Sequence, residues 1–168
     1  GVAASFAALP LMLCGAALVP ARRVFRSSYA SCQPLLQPTH ALSSTPLPAD
    51  DLLTAMGSTA APTLHGYLSL LRELSGECGA ARLNPSERRA LIAVLELAAA
   101  SPAFRPERSF AVPTEAGTVA SLGDCVVNDA PWLLRRLRPG AVELASAALP
   151  ADLRERLGLR ALSVAVDE

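Results

Sequence analysis

The side chains best suited to catalysis are thinly spread along this chain of 168 residues. The two histidines, His40 and His65, fall in a Ser/Thr/Pro-rich loop and on the polar face of a predicted helix, away from any cysteine. No cysteine pair has the spacing of a zinc site, and no Gly-x-Ser-x-Gly nucleophile motif occurs. We therefore expect no catalytic residue, no metal site and no cofactor. The cysteines stand alone, at Cys14, Cys32, Cys78 and Cys125.

Three arginines, Arg135, Arg136 and Arg138, lie within four residues. Guanidinium groups bind phosphate and carboxylate in a forked geometry, so a phosphate contact is one interpretation of this cluster. Leucines flank the arginines, and the alternative is a solvated face whose arginine stems cover apolar surface. General electrostatic binding to nucleic acid is excluded, because the charges of the 15 basic and 15 acidic residues cancel.

The most distinctive motif is Asn-Asp-Ala-Pro-Trp, which we call the Asn128–Trp132 corner. Asn128 and Asp129 favour a turn in which side chains bond to nearby backbone. Pro131 fixes its own φ and keeps the preceding residue extended. Trp132 is the only tryptophan, and we expect this rigid corner to plant it in the core as a structural anchor. Its replacement by alanine would then cost about 3–5 kcal/mol of stability.

The elements that position this corner are short. Apolar periodicity, N-caps and turn residues predict helices over 48–57, 62–75, 85–100 and 150–158, and a β-hairpin over 109–119. The predicted fold class is α+β, with a helical middle section flanked by short strands and hairpins. Three sections follow: a strand-containing part with a Ser/Pro-rich connection (1–42), a helical section (43–104), and a hairpin and corner section (105–168).

The uncharged stretch from Gly1 to Pro20 admits two interpretations. Its length, and the arginines that follow it, fit a membrane-spanning helix. Pro10 interrupts the stretch, however, and residues 10–14 and 17–20 also fit two short buried strands around a turn. The first interpretation gives an alternative function for the chain, a small membrane-anchored protein with a transmembrane helix at 1–20.

At the Asn128–Trp132 corner the chain resembles sacsin and the sacsin-like chaperones, whose long internal repeats carry a similar Asn-Asp-Ala-Pro-Trp stretch. The likeness covers most of the chain: a strand pair around Ala111-Val112-Pro113, a helix and strand over Ala151–Leu162, and the upstream element Leu18–Phe25 are similar to the family's order of elements. The acidic helix of the family's ATPase module, with its Asn-Ala-Asp-Asp-Ala run, is absent from this sequence.

The resemblance implies a segment of a larger repeat, outside the ATPase module of its parent protein and without catalysis of its own. Its expected role is that of a cytoplasmic scaffold and interaction segment. The implied partners are adjacent modules of the same chain, heat-shock co-chaperones and client proteins, with neither nucleic acid nor membrane among them. A further hypothesis is that Arg135, Arg136 or Arg138 reaches the ATP of an adjacent module.

Overall fold

A computed structural model describes residues 10–14, 17–20, 35, 63–78, 82–138 and 140–166. The chain divides into two compact units, residues 1–63 and 64–168. Helices and small separate sheets follow one another along it, so the predicted α+β class is confirmed. The predicted helix over 48–57, together with His40 and Cys32, lies outside the described residues. The three predicted sections stay a prediction.

In the first unit, strands β1 (Pro10–Cys14) and β2 (Ala17–Pro20) pair antiparallel, as the strand interpretation predicted. Cys14 lies opposite Ala17, and the register shifts between Pro10 and Met12. These residues are therefore strands where the membrane interpretation placed a helix. Among the described residues, no helix is long and apolar enough to cross a membrane.

Two helices supply the first half of the second unit's core, α1 (Leu64–Cys78) and α2 (Pro85–Ala99). The predicted capping box is present: the Asn84 side chain accepts hydrogen bonds from the backbone N–H groups of Ser86 and Glu87, both at 2.9 Å, and the Glu87 carboxylate accepts one from the Asn84 backbone at 2.7 Å. Such caps satisfy the free N–H groups of the first turn. The helices bury apolar stripes made of Tyr67, Leu70, Leu71, Leu74, Leu91, Val94, Leu95 and Ala98.

The predicted hairpin is also present, with β3 (Ala111–Pro113) antiparallel to β4 (Val119–Ser121). Thr114 is fully buried and closes the turn, because its hydroxyl lies 2.7 Å from that of Thr118. Gly117 has a φ of +82°, which a residue with a side chain rarely adopts. A single 3₁₀ turn over Leu122–Asp124 leads from the hairpin into the next strand.

A three-stranded parallel sheet completes the second unit, in the order β6 (Glu143–Leu144), β5 (Cys125–Val127), β7 (Arg160–Ala161). The short helix α3 (Pro131–Leu134) follows β5, α4 (Ala151–Leu157) connects β6 to β7, and α5 (Leu162–Ala165) follows β7. The carboxyl ends of parallel strands meet at one edge of a sheet. The Asn128–Trp132 corner and α5 therefore leave the sheet from the same edge.

Candidate functional site

The Asn128–Trp132 corner is joined to α5 by a side chain. Val127 and Ala161, the last residues of β5 and β7, lie opposite each other. Just beyond them, the Ser163 backbone N–H donates to one carboxylate oxygen of Asp129 at 3.0 Å, and the Ser163 hydroxyl donates to the other. Ala161, the residue at the N-cap of α5, makes no side-chain cap. Asp129 thus supplies an acceptor for the first turn of α5 from another part of the chain.

These two hydrogen bonds stabilise the charged form of the Asp129 carboxyl. The bond from the Ser163 hydroxyl, followed by the bond from its backbone N–H, holds the pKa of Asp129 below its ordinary value. A hydrogen bond to the charged form of a carboxyl favours that form. The sequence predicted a turn in which the Asn128 and Asp129 side chains bond to nearby backbone. The structure has a backbone turn here, in which the Asp129 N–H donates to the Val127 carbonyl at 3.0 Å.

The prediction that Trp132 anchors the core is wrong, because 65% of its surface is exposed. The buried residue of the corner is Ala130, at 1% exposed. Pro131 starts α3 directly after Ala130, and the chain then runs along the outside of the unit. The small residue of the corner is thus buried, and the large aromatic ring two positions later stays in solvent.

Helix α3 is composed entirely of apolar residues, Pro-Trp-Leu-Leu, and none of them is buried. Four large apolar side chains of the described second unit are exposed. One, Leu97, lies on α2. The other three, which we call the sheet-edge cluster, follow the carboxyl ends of β5 and β7: Trp132, Val164 and Val166. Sequence reasoning singled out Trp132 for the core but missed the two valines, whose only signal was their place after a short strand.

Arg135, Arg136 and Arg138 directly follow α3, and all three are exposed. Within the part of the chain that the structure describes, no hydrogen bond or ion pair involves their guanidinium groups. The backbone continues to turn past α3, because the Arg136 N–H donates to the Leu133 carbonyl at 2.9 Å. The structure thus brings the arginines next to Trp132 in a curled segment. Their contact with a phosphate group stays a prediction.

Asn128, the first residue of the corner, differs from Trp132 because part of its side chain is buried. Its side-chain Oδ1 atom is buried, and no hydrogen-bond donor contacts it within the described structure. Burying an amide oxygen without a partner costs stability. Asn128 is half-buried as a residue, so this atom faces the interior and is not part of the exposed surface that Trp132 presents.

Cys125 is a potential nucleophile whose surroundings the structure describes. The thiol is buried, and burial raises its pKa to about 12, with smaller contributions from the negative charges of Glu143 and Asp124. A cavity of about 410 Å³ lies against it, with Arg108 and Arg160 also in the lining. The thiolate is the reactive form of cysteine, so this thiol is a weak nucleophile at neutral pH.

The other groups considered for chemistry stand apart from one another. His65 is exposed on α1, as its place on the polar face predicted. Among the described residues, no group of three or more His, Cys, Asp or Glu side chains is arranged to hold a metal ion. The groups that lie next to one another are the corner, α3 and the arginines, which are continuous in the chain, and α5, which Asp129 joins to the corner.

The resemblance to sacsin rests on the Asn128–Trp132 corner and on the order of the elements around it. The strand β5 before the corner, the preceding hairpin and the later pair of α4 and β7 occur in the expected order. The family itself stays a prediction. The chain matches no protein-family model, no curated protein and no solved structure.

Proposed function

We propose that this chain is a non-catalytic scaffold and interaction segment of a sacsin-like molecular chaperone. In this proposal it works through contacts with neighbouring modules and client chains, and ATP is hydrolysed elsewhere in the parent protein. The observation that carries the proposal is α3, an all-apolar helix with no buried residue. Clustered apolar groups left in solvent mark interaction sites, and tryptophan is among the residues that contribute most to binding.

The backbone that leads into the exposed tryptophan is tied to the rest of the unit. Ala130 is buried one residue before α3, and Pro131 restricts the backbone at the first position of the helix. Asp129 is hydrogen-bonded to Ser163, which ties the corner to α5. A contact group that is already ordered loses little conformational entropy when a partner binds. The support of Trp132 therefore favours binding.

The sheet-edge cluster is suited to binding unfolded proteins, the clients of a chaperone. Trp132 is accompanied at this edge by Val164 and Val166, which are 55% and 38% exposed. Unfolded proteins expose apolar segments that are buried in their native states, and burial of such segments against apolar side chains is favourable. The sequence resemblance to the sacsin-like chaperones supports the same class of partner.

The proposal is tested by the aggregation of reduced insulin, followed by light scattering with and without the full chain, while ATP turnover is measured in parallel. We expect the chain to suppress aggregation without hydrolysing ATP. Trp132→Ser should raise the amount of chain needed for half suppression roughly tenfold, the size of a hot-spot loss. Leu97→Ser is the matched control, because Leu97 is 45% exposed and lies on α2.

Three outcomes would contradict this function. The purified chain could turn over ATP without another module, or it could leave insulin aggregation unchanged. The third outcome is that Leu97→Ser weakens suppression as much as Trp132→Ser does. In that case the exposed apolar residues would act without regard to position, and the sheet-edge cluster would not be a site.

A further inference from the structure

The segment Trp132–Arg138 combines an exposed aromatic ring with three exposed arginines that have no hydrogen-bond or ion-pair partner among the described residues. We propose that this segment binds an acidic peptide that carries a hydrophobic side chain, an inference that rests on the proposed function and specifies its partner. Trp132 would contact the hydrophobic side chain of the peptide. Arg135, Arg136 and Arg138 would bind its carboxylates.

The charge within the segment has one sign. The stretch 130–142 contains three arginines and no acidic residue. Of the acids that border it, Asp129 accepts both of its hydrogen bonds from Ser163, and Glu143 lies on β6. Within the described residues, neither acid forms an ion pair with the three arginines. A guanidinium group in this state offers forked N–H donors that match the geometry of a carboxylate.

The backbone curls directly after α3, in the part of the segment that carries Arg135 and Arg136. After α3, the Arg136 N–H donates to the Leu133 carbonyl at 2.9 Å and the Leu137 N–H donates to the Leu134 carbonyl at 3.3 Å. Residues three and four positions apart on such a turn are neighbours on its surface. Arg135 and Arg136 stand at these two distances from Trp132. The spacing suits a ligand whose apolar side chain is flanked by carboxylates.

A peptide fits these features better than the other anionic partners. Inorganic phosphate would engage the arginines and leave the Trp132 ring uncovered. A single-stranded nucleic acid would stack its bases on several aromatic rings along a basic groove, whereas aromatics make up 4% of this chain and its net charge is zero. The half-buried Leu133 and Leu134 beside the ring favour an aliphatic side chain.

The test is the binding of a short fluorescein-labelled peptide, in which one leucine is surrounded by Asp and Glu, to the full chain by fluorescence anisotropy. We expect Trp132→Ser, and the triple variant Arg135→Gln/Arg136→Gln/Arg138→Gln, to weaken binding roughly tenfold or more. Leu97→Ser is the control for Trp132. The matched control for the arginines removes three exposed charges elsewhere, through Arg82→Gln/Arg89→Gln/Arg108→Gln. Both controls should leave the affinity unchanged.

Two further measurements, one with added salt and one with a changed peptide, separate the contribution of the arginines from that of Trp132. Added salt should weaken binding to the wild-type chain far more than to the Arg135/Arg136/Arg138 variant, because salt screens charges at an exposed surface. A peptide with serine in place of its leucine should bind less tightly to the wild-type chain. That peptide should show no further loss with Trp132→Ser, since the ring would then have no side chain to contact.

The inference is overturned if the serine peptide binds as well as the leucine peptide, or if inorganic phosphate or oligo(dT) displaces the peptide at equal charge. Either result would make the arginines a general anion site. Absence of peptide binding also overturns it. If the wild-type chain still suppresses insulin aggregation when peptide binding is absent, this inference fails alone. If the chain shows neither activity, the proposed function fails as well.

Discussion

Asp129 caps the first turn of α5 from the end of a different strand, because its carboxylate accepts hydrogen bonds from both the backbone N–H and the hydroxyl of Ser163. This contact spans 34 positions of the sequence. It links the two segments that leave the carboxyl edge of the parallel sheet. The apolar residues that follow on each segment, Trp132 and Val164, are thereby presented at a common edge.

The Asp129–Ser163 contact should behave as one unit in mutagenesis. Asp129→Ala and Ser163→Ala are each expected to lower Tm. Asp129→Ala removes the acceptor of both hydrogen bonds, whereas Ser163→Ala removes the hydroxyl bond and leaves the backbone bond in place. The double variant should be hardly less stable than Asp129→Ala alone, because loss of the carboxylate already removes the acceptor of the Ser163 hydroxyl bond. Thermal unfolding of the four proteins measures this coupling. Additive losses would show that the two residues act independently.

The same contact predicts a dependence of stability on pH. The pKa of Asp129 is lowered in the folded chain by its hydrogen bonds to Ser163. The unfolded state therefore takes up the proton first as pH falls, and the stabilisation is present above the unfolded pKa and lost as pH drops through the folded pKa. Between about pH 5 and pH 2, wild type should lose more stability than Asp129→Asn.

Comparison with Asp129→Asn is needed because a second carboxyl also has a lowered pKa in the folded chain. Hydrogen bonding to Arg72 also lowers the pKa of Glu107, and this contribution is common to both proteins. Urea unfolding at a series of pH values gives the difference between them. Parallel curves for the two proteins would show that the Asp129 carboxylate does not stabilise the fold.

Trp132→Ser should leave stability within about 0.5 kcal/mol of wild type, as expected for an exposed side chain. A tryptophan or phenylalanine in the core behaves differently, and Phe110→Ala, at a position that is 0% exposed, should cost about 3–5 kcal/mol. Urea unfolding followed by circular dichroism measures both variants. A loss from Trp132→Ser as large as that from Phe110→Ala would place the ring in the core after all.

Cys125 should react slowly with alkylating reagents in the folded chain. Its pKa of about 12, against an ordinary value of 9.0, lowers the thiolate fraction at pH 8 roughly a thousandfold. Iodoacetamide labelling, with Cys125 followed by peptide mass spectrometry, should therefore be much slower in buffer than in denaturant. Equal rates in the two conditions would mean that the thiol is exposed and ionised.

Local signals made much of the second unit predictable. The cap at Asn84, the proline at the first turn and the apolar stripe of α2 act within one helix, so the sequence pattern was sufficient. The hairpin was predictable for the same reason, because its turn and both strands lie within a few residues of Thr114. The end of α4 is marked by Gly158, which has a φ of +67°.

The parallel sheet and the position of Trp132 could not be predicted from local sequence signals. Strands β6 and β7 contain two residues each, which is too short for any periodicity to show. Whether Ala130 or Trp132 enters the core depends on the register of β5 against strands far along the chain, and on Asp129 meeting Ser163. The size of tryptophan suggested burial, but the geometry of the strand end decided the outcome.

The measurement that tests the central claim most directly is the fluorescence of Trp132 while the chain binds reduced insulin, which has no tryptophan. As the only tryptophan of the chain, Trp132 reports on this one position. Alone, its emission should be that of an exposed indole and should be readily quenched by acrylamide. Insulin that is being kept from aggregating should shift the emission to the blue and protect the ring from quenching. Suppression of aggregation with unchanged emission and quenching would contradict the claim that clients bind at Trp132.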